Sequence, residues 1–180
     1  MVYNYNLSFT AVQRQVLEQL FQSQGSVLSQ KQIAQNIGFS EMAVKKALVP
    51  LVEQSFVLLH KSENRTAIRI NSENEFIMGL KRYWNILKVY SSGLESYLKD
   101  SSPGATIILF GSFARGDDIY NSDIDIAIIG MEKKDIPVSQ FEKFFQKDIH
   151  ISFFKNFREI HKNLKENLCN GIVLSGAITL

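Results

Sequence analysis

One stretch, Thr106 to Ile129, constrains the fold more than any other; it reads TIILFGSFARGDDIYNSDIDIAII. It begins with an apolar run that ends at Gly111-Ser112, and a second apolar run, Ile124 to Ile129, starts within the triplet Asp123-Ile124-Asp125. Short runs of β-branched and aromatic residues bounded by glycine predict buried strands. We therefore expect two core strands, each carrying polar residues at one end.

The acidic pair has a spacing with chemical meaning. Side chains alternate along a strand, so Asp123 and Asp125 share one face and stand roughly 6–7 Å apart. Two carboxylates there suit Mg²⁺ or Mn²⁺ together with substrate phosphates. Gly111 lets a phosphate approach the backbone, and Ser112 adds a hydroxyl donor. Either motif alone is compatible with a turn or a solvated strand face; together they favour a site for a divalent ion and a polyphosphate.

These motifs resemble the nucleotidyltransferase superfamily, which includes polymerase β and the small minimal nucleotidyltransferases. That group carries Gly-Ser, ten residues and then Asp-x-Asp, as found here, and Ala114-Arg115-Gly116 also matches its small members. The resemblance spans residues 105–175 approximately. It implies transfer of an NMP from an NTP, with ATP the expected nucleotide, onto a hydroxyl. Arg115 then either contacts a phosphate or pairs with Asp117, Asp118 or the metal-site carboxylates.

The resembled family carries a third carboxylate on the strand after the next helix. Here Ile149, Ile151 and Phe153 alternate as that strand, and His150 stands at the aligned position, with Asp148 two residues earlier on the same face. Three readings stay open. Asp148 serves after a shift in register, His150 substitutes as base or ligand, or the third group is lost and activity is weak.

Other segments of this part have simpler patterns. Residues 139–147 predict a helix with Phe141, Phe144 and Phe145 inward, residues 156–167 predict another helix, and Ile172 to Leu174 predicts a final edge strand.

The N-terminal part predicts three helices and a hairpin. Thr10 with Gln13 and Ser29 with Gln32 form capping boxes, and Ser40 caps the third helix. Two short apolar runs around a polar tip follow, as in a β-hairpin. Pro50 lies inside the third helix, where it costs on the order of 3 kcal/mol unless the helix bends or ends there.

That order resembles the winged helix-turn-helix of many small prokaryotic regulators, whose third helix enters the major groove of duplex DNA. The resemblance implies DNA contacts from Ser40, Glu41, Lys45 and Lys46 on the third helix and from Lys61, Arg65 and Arg69 on the wing. The competing reading is a winged helix that serves as a protein–protein or dimerisation module.

Residues 73–103 predict a linker helix. Ser72-x-x-Glu75 suggests its capping box, and apolar residues follow at helical spacing, with a possible break near Ser92-Gly93. This helix is expected to pack the two parts together or to form a homodimer seam. The predicted fold class is therefore α+β: a winged helix over 1–72, a linker helix over 73–103, and a nucleotidyltransferase-type mixed sheet with flanking helices over 104–180.

Composition adds little. The formal net charge of +2 is too small to indicate a nucleic-acid binder, although the basic excess lies entirely in residues 1–72. Cys169 is the only cysteine, so no intrachain disulfide forms. Without an apolar run near 18 residues or a signal peptide, we expect no membrane partner and a cytoplasmic location.

Two functional hypotheses follow. One is a metal-dependent nucleotidyltransferase with a DNA- or protein-binding winged helix; small members of the resembled family often partner a helical HEPN-type protein as antitoxins. The other is a DNA-binding regulator or antitoxin whose transferase-like domain only binds nucleotide or dimerises.

Overall fold

The computed structural model describes residues 8–62 and 65–178, and it describes no side chains from 61 to 65. The chain divides into two units, Met1–Ile77 and Met78–Leu180. Each unit has its own buried apolar residues, and each is described separately below.

Three helices form the first part of the N-terminal unit: α1 (Ala11–Gln22), α2 (Gln30–Ile37) and α3 (Glu41–Glu53). Both predicted capping boxes are present, with the Thr10 and Ser29 hydroxyls accepting from backbone N–H groups three residues later. The helices pack through buried aliphatic and aromatic side chains, which are Val16, Leu17, Leu20, Phe21, Ile33, Val44, Leu48 and Leu51.

The hairpin consists of antiparallel strands β1 (Val57–Ser62) and β2 (Arg65–Ile70). Leu28, between α1 and α2, pairs with Ile68 as an isolated bridge on the free edge of β2. The N-terminal unit therefore has the element order and the hairpin of a winged helix, as the sequence predicted.

Pro50 does not end the third helix. α3 continues to Glu53, and the Pro50 carbonyl accepts a 3.1 Å hydrogen bond from the backbone N–H of Gln54. Leu48 and Leu51, on either side of the proline, are both buried. Their packing stabilises the helix on both sides of the lost hydrogen bond, because tertiary burial outweighs a local propensity cost.

The predicted linker helix is two helices, α4 (Glu75–Ser91) and α5 (Leu94–Ser101). They separate at Gly93, whose φ of 79° is accessible to glycine without strain. The proposed cap at Ser72 is wrong, since Asn74 Oδ1 accepts the Ile77 N–H at 3.1 Å.

A four-stranded mixed sheet forms the centre of the C-terminal unit, in the order β5-β4-β3-β6. Its strands are β3 (Thr106–Phe110), β4 (Ile124–Ile129), β5 (Ile149–Phe154) and β6 (Ile172–Ser175). β3 is antiparallel to β4 and β6, whereas β4 and β5 are parallel. The predicted edge strand at Ile172 is present.

Helices lie on both faces of this sheet. They are α6 (Gly111–Arg115), α7 (Ser139–Phe145) and α8 (Lys162–Cys169), and a 3₁₀ turn covers Phe157–Glu159. Buried residues on one face include Ile107, Leu109, Ile124, Ile126 and Ile128 with Leu94 and Leu98 of α5. Those on the other include Ile108, Ala127 and Ile129 with Leu168 of α8.

Two predictions for this region are wrong in detail. Phe144 is 56% exposed, whereas Phe141 is buried, because α7 is short and presents only one side to the sheet. The helix predicted over 156–167 is replaced by the 3₁₀ turn and the later α8, since Asn156 caps the turn with its side chain.

Within the described residues, no helix combines the length and the hydropathy needed to cross a membrane.

Candidate active site

Gly111 and Asp125 meet at one edge of the sheet. β3 ends at Phe110, which lies opposite Asp125 of β4, and the chain then turns at Gly111 with a φ of +76°. A methyl group at Gly111 would lie 2.3 Å from Asp125 Oδ2. The missing Cβ therefore makes room for this carboxylate, and the positive φ is a second reason for glycine here.

Asp123 and His150 lie at the same end of the strands as Gly111 and Asp125, and these four residues form the polar rim of the candidate site. His150 lies opposite Asp125 in the parallel pair of β4 and β5, and its Nε2 is 3.2 Å from Asp123 Oδ2. The intervening Ile124 is buried on the opposite face, as strand alternation predicts. The side chains of Asp123 and His150 are 46% and 63% exposed, so a ligand from solvent can reach them.

The pKa of Asp125 is raised, chiefly because partial burial disfavours its charged form. The neighbouring His150 and Arg115 side chains lower the pKa of Asp125, and the neighbouring Asp123 carboxylate raises it. The ionised Asp125 carboxylate is therefore only partly solvated by water. A cation placed beside Asp125 would stabilise its ionised form.

Asp148 approaches the site from the end of β5. It precedes the strand, is exposed, and its carbonyl accepts the Ile124 N–H at 2.9 Å. With Asp123 it lines a cavity of about 440 Å³ that also contacts Tyr120 and Lys143. His150, not Asp148, lies opposite Asp125. Asp148 could therefore contribute to the site only from its position before the first residue of β5.

A divalent ion fits only with help from a substrate. No group of three or more His, Cys, Asp or Glu in the described ranges is arranged to hold a metal. Mg²⁺, however, commonly uses one or two carboxylates together with substrate phosphates and water. Asp123 and Asp125 satisfy that smaller requirement.

Arg115 and Ser112 have local structural contacts. Arg115 Nε lies 3.2 Å from Asp117 Oδ2, and both side chains are about half exposed. The carbonyl of Ser112 accepts from the N–H groups of Gly116 and Asp117, which shapes the turn after α6. Arg115 therefore makes the neighbouring ion pair that the sequence offered, with Asp117 as its partner.

A buried polar cluster in the C-terminal unit was not predicted from the sequence. Asp118 is 2% exposed and its Oδ1 lies 2.9 Å from Lys81 Nζ and 2.8 Å from Asn85 Nδ2. Lys147 Nζ is 3.4 Å from the other carboxylate oxygen. Burial lowers the pKa of Lys81, and the Asp118 carboxylate opposes this.

A sequence signal for this cluster existed. Lys81 and Asn85 lie between two buried apolar residues of the same helical row, at a spacing of four residues. The row consists of Ile77, Lys81, Asn85 and Val89. Polar residues in such a row need partners. Their partner, however, lies more than thirty positions away in the chain and cannot be chosen from spacing.

The residues predicted to contact DNA are placed as follows. Lys45 and Lys46 are exposed on α3, and Arg69 is exposed on β2. The Ser40 hydroxyl accepts the Ala43 N–H at 3.2 Å as the helix cap. The side chains of Lys61 and Arg65 lie outside the described residues.

The polar rim of Gly111, Asp123, Asp125 and His150 lies within the part of the chain that is similar to a known sequence family. Residues 91–173 match the family model of the nucleotidyltransferase domain. The nucleotidyltransferase match contains every candidate catalytic position, together with Asp118 and Lys147 of the buried cluster. Lys81 and Asn85 precede the matched range.

No curated protein matches the chain. Among solved structures, a mutant of Lactococcus lactis ZitR has a TM-score of 0.41 at 17% identity, covering 56% of this chain and 67% of its own. S. aureus MepR in complex with DNA has a TM-score of 0.39 at 16% identity, covering 52% and 77%. Scores this low carry no functional argument.

Proposed function

We propose that the protein is a metal-dependent nucleotidyltransferase that moves an NMP, with AMP expected, from an NTP onto a hydroxyl acceptor. The observation that carries this proposal is the contact between Gly111 and Asp125, with Asp123 and His150 on the same rim. The nucleotidyltransferase-domain match over residues 91–173 supports it.

The acidic pair would hold Mg²⁺ or Mn²⁺. When bound, the ion would neutralise charge on the polyphosphate and align its oxygens. Asp123 and Asp125 would supply carboxylate oxygens, and the raised pKa of Asp125 indicates a site where an ionised carboxylate gains from a nearby cation. The Gly111-Ser112 turn would receive the phosphates.

The transfer step needs a base near the acceptor. The acceptor oxygen attacks the α-phosphorus, a new P–O bond forms, and the bond to pyrophosphate breaks. The hydroxyl proton passes to His150 or Asp148, both of which are exposed at the β5 side of the rim. His150 is the better placed of the two for this role because it lies opposite Asp125.

Nucleotide binding tests this proposal directly. We expect isothermal titration to detect binding of a non-hydrolysable ATP analogue in the presence of Mg²⁺ and little binding without it. Gly111→Ala is expected to weaken binding at least tenfold, because its methyl group would displace Asp125 and strain the turn.

Gly79→Ala is the matched control. Gly79 lies in α4, is exposed, and an added methyl group would meet no atom within 4 Å. This variant should bind like the original protein and be slightly more stable, since alanine favours helix by about 1 kcal/mol over glycine. Equal nucleotide affinity in Gly111→Ala and Gly79→Ala would contradict the proposed site.

Duplex DNA binding by the N-terminal unit is the second candidate function. The exposed Lys45 and Lys46 on α3, together with the hairpin and its Arg69, support it. The exposed Met42 and Val49 on the same helix fit the competing protein-binding role instead. The two roles differ in their dependence on salt.

We expect DNA affinity to fall steeply between 50 and 200 mM salt, because phosphate contacts release counterions. Replacing both Lys45 and Lys46 by alanine should lower affinity roughly tenfold and flatten the salt slope by about two units. Lys99→Ala, an exposed lysine of α5, is the control. Fluorescence anisotropy measures both quantities, and salt-independent binding would favour the protein-binding role.

A further inference from the structure

Lys147 holds the segment that leads into the acidic pair. Its Nζ donates to the carbonyl of Ile119 at 2.6 Å and to that of Ser122 at 3.0 Å. The same ammonium group lies 3.4 Å from Asp118 Oδ2, and the side chain is only 7% exposed. A lysine ammonium has three donor hydrogens. Two of them donate to carbonyls of the segment from 118 to 122, and the charge is paired with the Asp118 carboxylate of the same segment.

That segment has no helix or strand of its own. It connects α6 to β4 and contains a single turn, in which the Ile119 N–H donates to the Ser122 hydroxyl at 2.9 Å. The Ser122 N–H donates back to the Ile119 carbonyl at 3.0 Å. Lys147 binds the carbonyls of the first and last residues of this turn. Among the hydrogen bonds found in the described residues, loss of that contact would leave this turn with the two that it makes itself.

Asp123 follows this turn directly and is held from both sides. Ser122, just before it, is bound by Lys147, and Ile124, just after it, donates to the Asp148 carbonyl at 2.9 Å. Lys147 and Asp148 are consecutive residues between α7 and β5. One short piece of chain therefore sets the backbone on each side of Asp123.

The far end of the segment is anchored separately. Asp118 accepts from Asn85 and pairs with Lys81, and Asn85 also donates to the Phe113 carbonyl at 2.9 Å. These contacts fix the segment to α4 at its start. Only Lys147 provides such a contact, among those found in the described residues, at its end next to Asp123.

We propose that Lys147 is a positioning residue for metal–nucleotide binding: it fixes the 119–122 turn so that the Asp123 carboxylate stands beside Asp125. This inference rests on the proposed function, since it assigns Asp123 as a ligand. Burying an ammonium group is costly unless it is fully hydrogen-bonded. If Lys147 served only to fill space in the core, methionine at position 147 would replace it without loss.

The test is a double-mutant cycle on Mn²⁺ affinity, measured by electron paramagnetic resonance with a non-hydrolysable NTP. Lys147→Met keeps the length of the side chain and removes its donors. We expect it to weaken Mn²⁺ binding about tenfold in the original chain and less than twofold in an Asp123→Asn background. Lys99→Met, at an exposed lysine of α5, should have no effect in either background.

Amide hydrogen exchange provides a readout that does not depend on metal. In Lys147→Met, exchange at residues 119–122 should rise at least tenfold, while β3 and β4 should keep their protection. If circular dichroism shows that Lys147→Met does not fold, Lys147→Arg enters the same cycle. It retains the charge and the donors but replaces the compact ammonium group by a wider planar guanidinium, so we expect an intermediate loss.

The outcomes are distinct. Equal Mn²⁺ affinity in the original chain and Asp123→Asn would overturn the proposed metal site and this inference with it. A loss in Asp123→Asn with none in Lys147→Met would overturn the inference alone. A tenfold loss from Lys147→Met in both backgrounds would also overturn it, because the effect would then not act through Asp123.

Discussion

Asp125→Asn is expected to lower pyrophosphate release from an NTP about 10³-fold. The substitution keeps the shape of the side chain but removes one of two carboxylates that would bind the divalent ion, whose charge stabilisation is worth several kcal/mol. Asp125 is partly buried and its carboxylate lies against Gly111, so water cannot easily take its place as a ligand.

The same substitution is expected to stabilise the fold in the absence of metal and nucleotide. The pKa of Asp125 is raised in the folded state, so the folded protein holds the proton more tightly than the unfolded chain does. Its contribution is therefore most favourable at acid pH and is lost as pH rises through the folded-state pKa. At neutral pH, asparagine removes that penalty, and we expect a Tm increase on the order of 2 °C.

Both effects have controls. Asp117→Asn changes an exposed carboxylate that pairs only with Arg115 among the ion pairs found, and it should leave turnover and Tm nearly unchanged. Differential scanning calorimetry at pH 4 and pH 7 should show the Asp125→Asn gain shrinking at the lower pH. Turnover by Asp125→Asn within tenfold of the original protein would contradict the assigned role.

Asp118→Ala is expected to destabilise the C-terminal unit by about 3–5 kcal/mol. Removing this carboxylate takes the shared anionic partner away from two buried lysines, Lys81 and Lys147, and from the Asn85 amide. Uncompensated buried charge is among the costliest consequences of a single substitution. Urea unfolding measures the loss.

The pH dependence of this loss follows from Lys81. Its pKa is already lowered by burial, so the unfolded chain binds the proton more tightly and stability rises with pH as the folded group titrates. Without Asp118 the pKa should fall further, and the deficit should shrink on going from pH 7 to pH 9. Asp117→Ala, the adjacent exposed position, should cost less than about 0.5 kcal/mol. A similar loss in both variants would contradict the buried network.

Local patterns predicted the secondary structure well where they were strong. The two capping boxes, the strands around Asp123 and the alternation of buried isoleucines on β4 follow from spacing and residue type alone. Predictions failed where tertiary contacts outweighed local preference. α3 continues past Pro50 because residues on either side are buried, and Phe144 remains exposed because α7 contacts the sheet along one narrow face.

In the candidate site, too, some features could be predicted from the sequence and others depended on tertiary contacts. Gly111, Asp123 and Asp125 could be singled out from sequence because their spacing carries chemical meaning. The pairing of β4 with β5 decided that His150, and not Asp148, lies opposite Asp125, because strand register depends on contacts that a sequence pattern does not specify.

The amino-acid sequence by itself determined that a glycine turn follows one strand and that an acidic pair begins the next, since strand periodicity and the conformational freedom of glycine are local properties. Only the tertiary structure decided what supports them. Lys81 and Asn85 of α4, Asp118 and Lys147 come from three separate segments, and their contacts exist only once the fold buries them together. A buried charge is costly unless an oppositely charged or hydrogen-bonding group lies beside it, and which groups become buried depends on the whole fold.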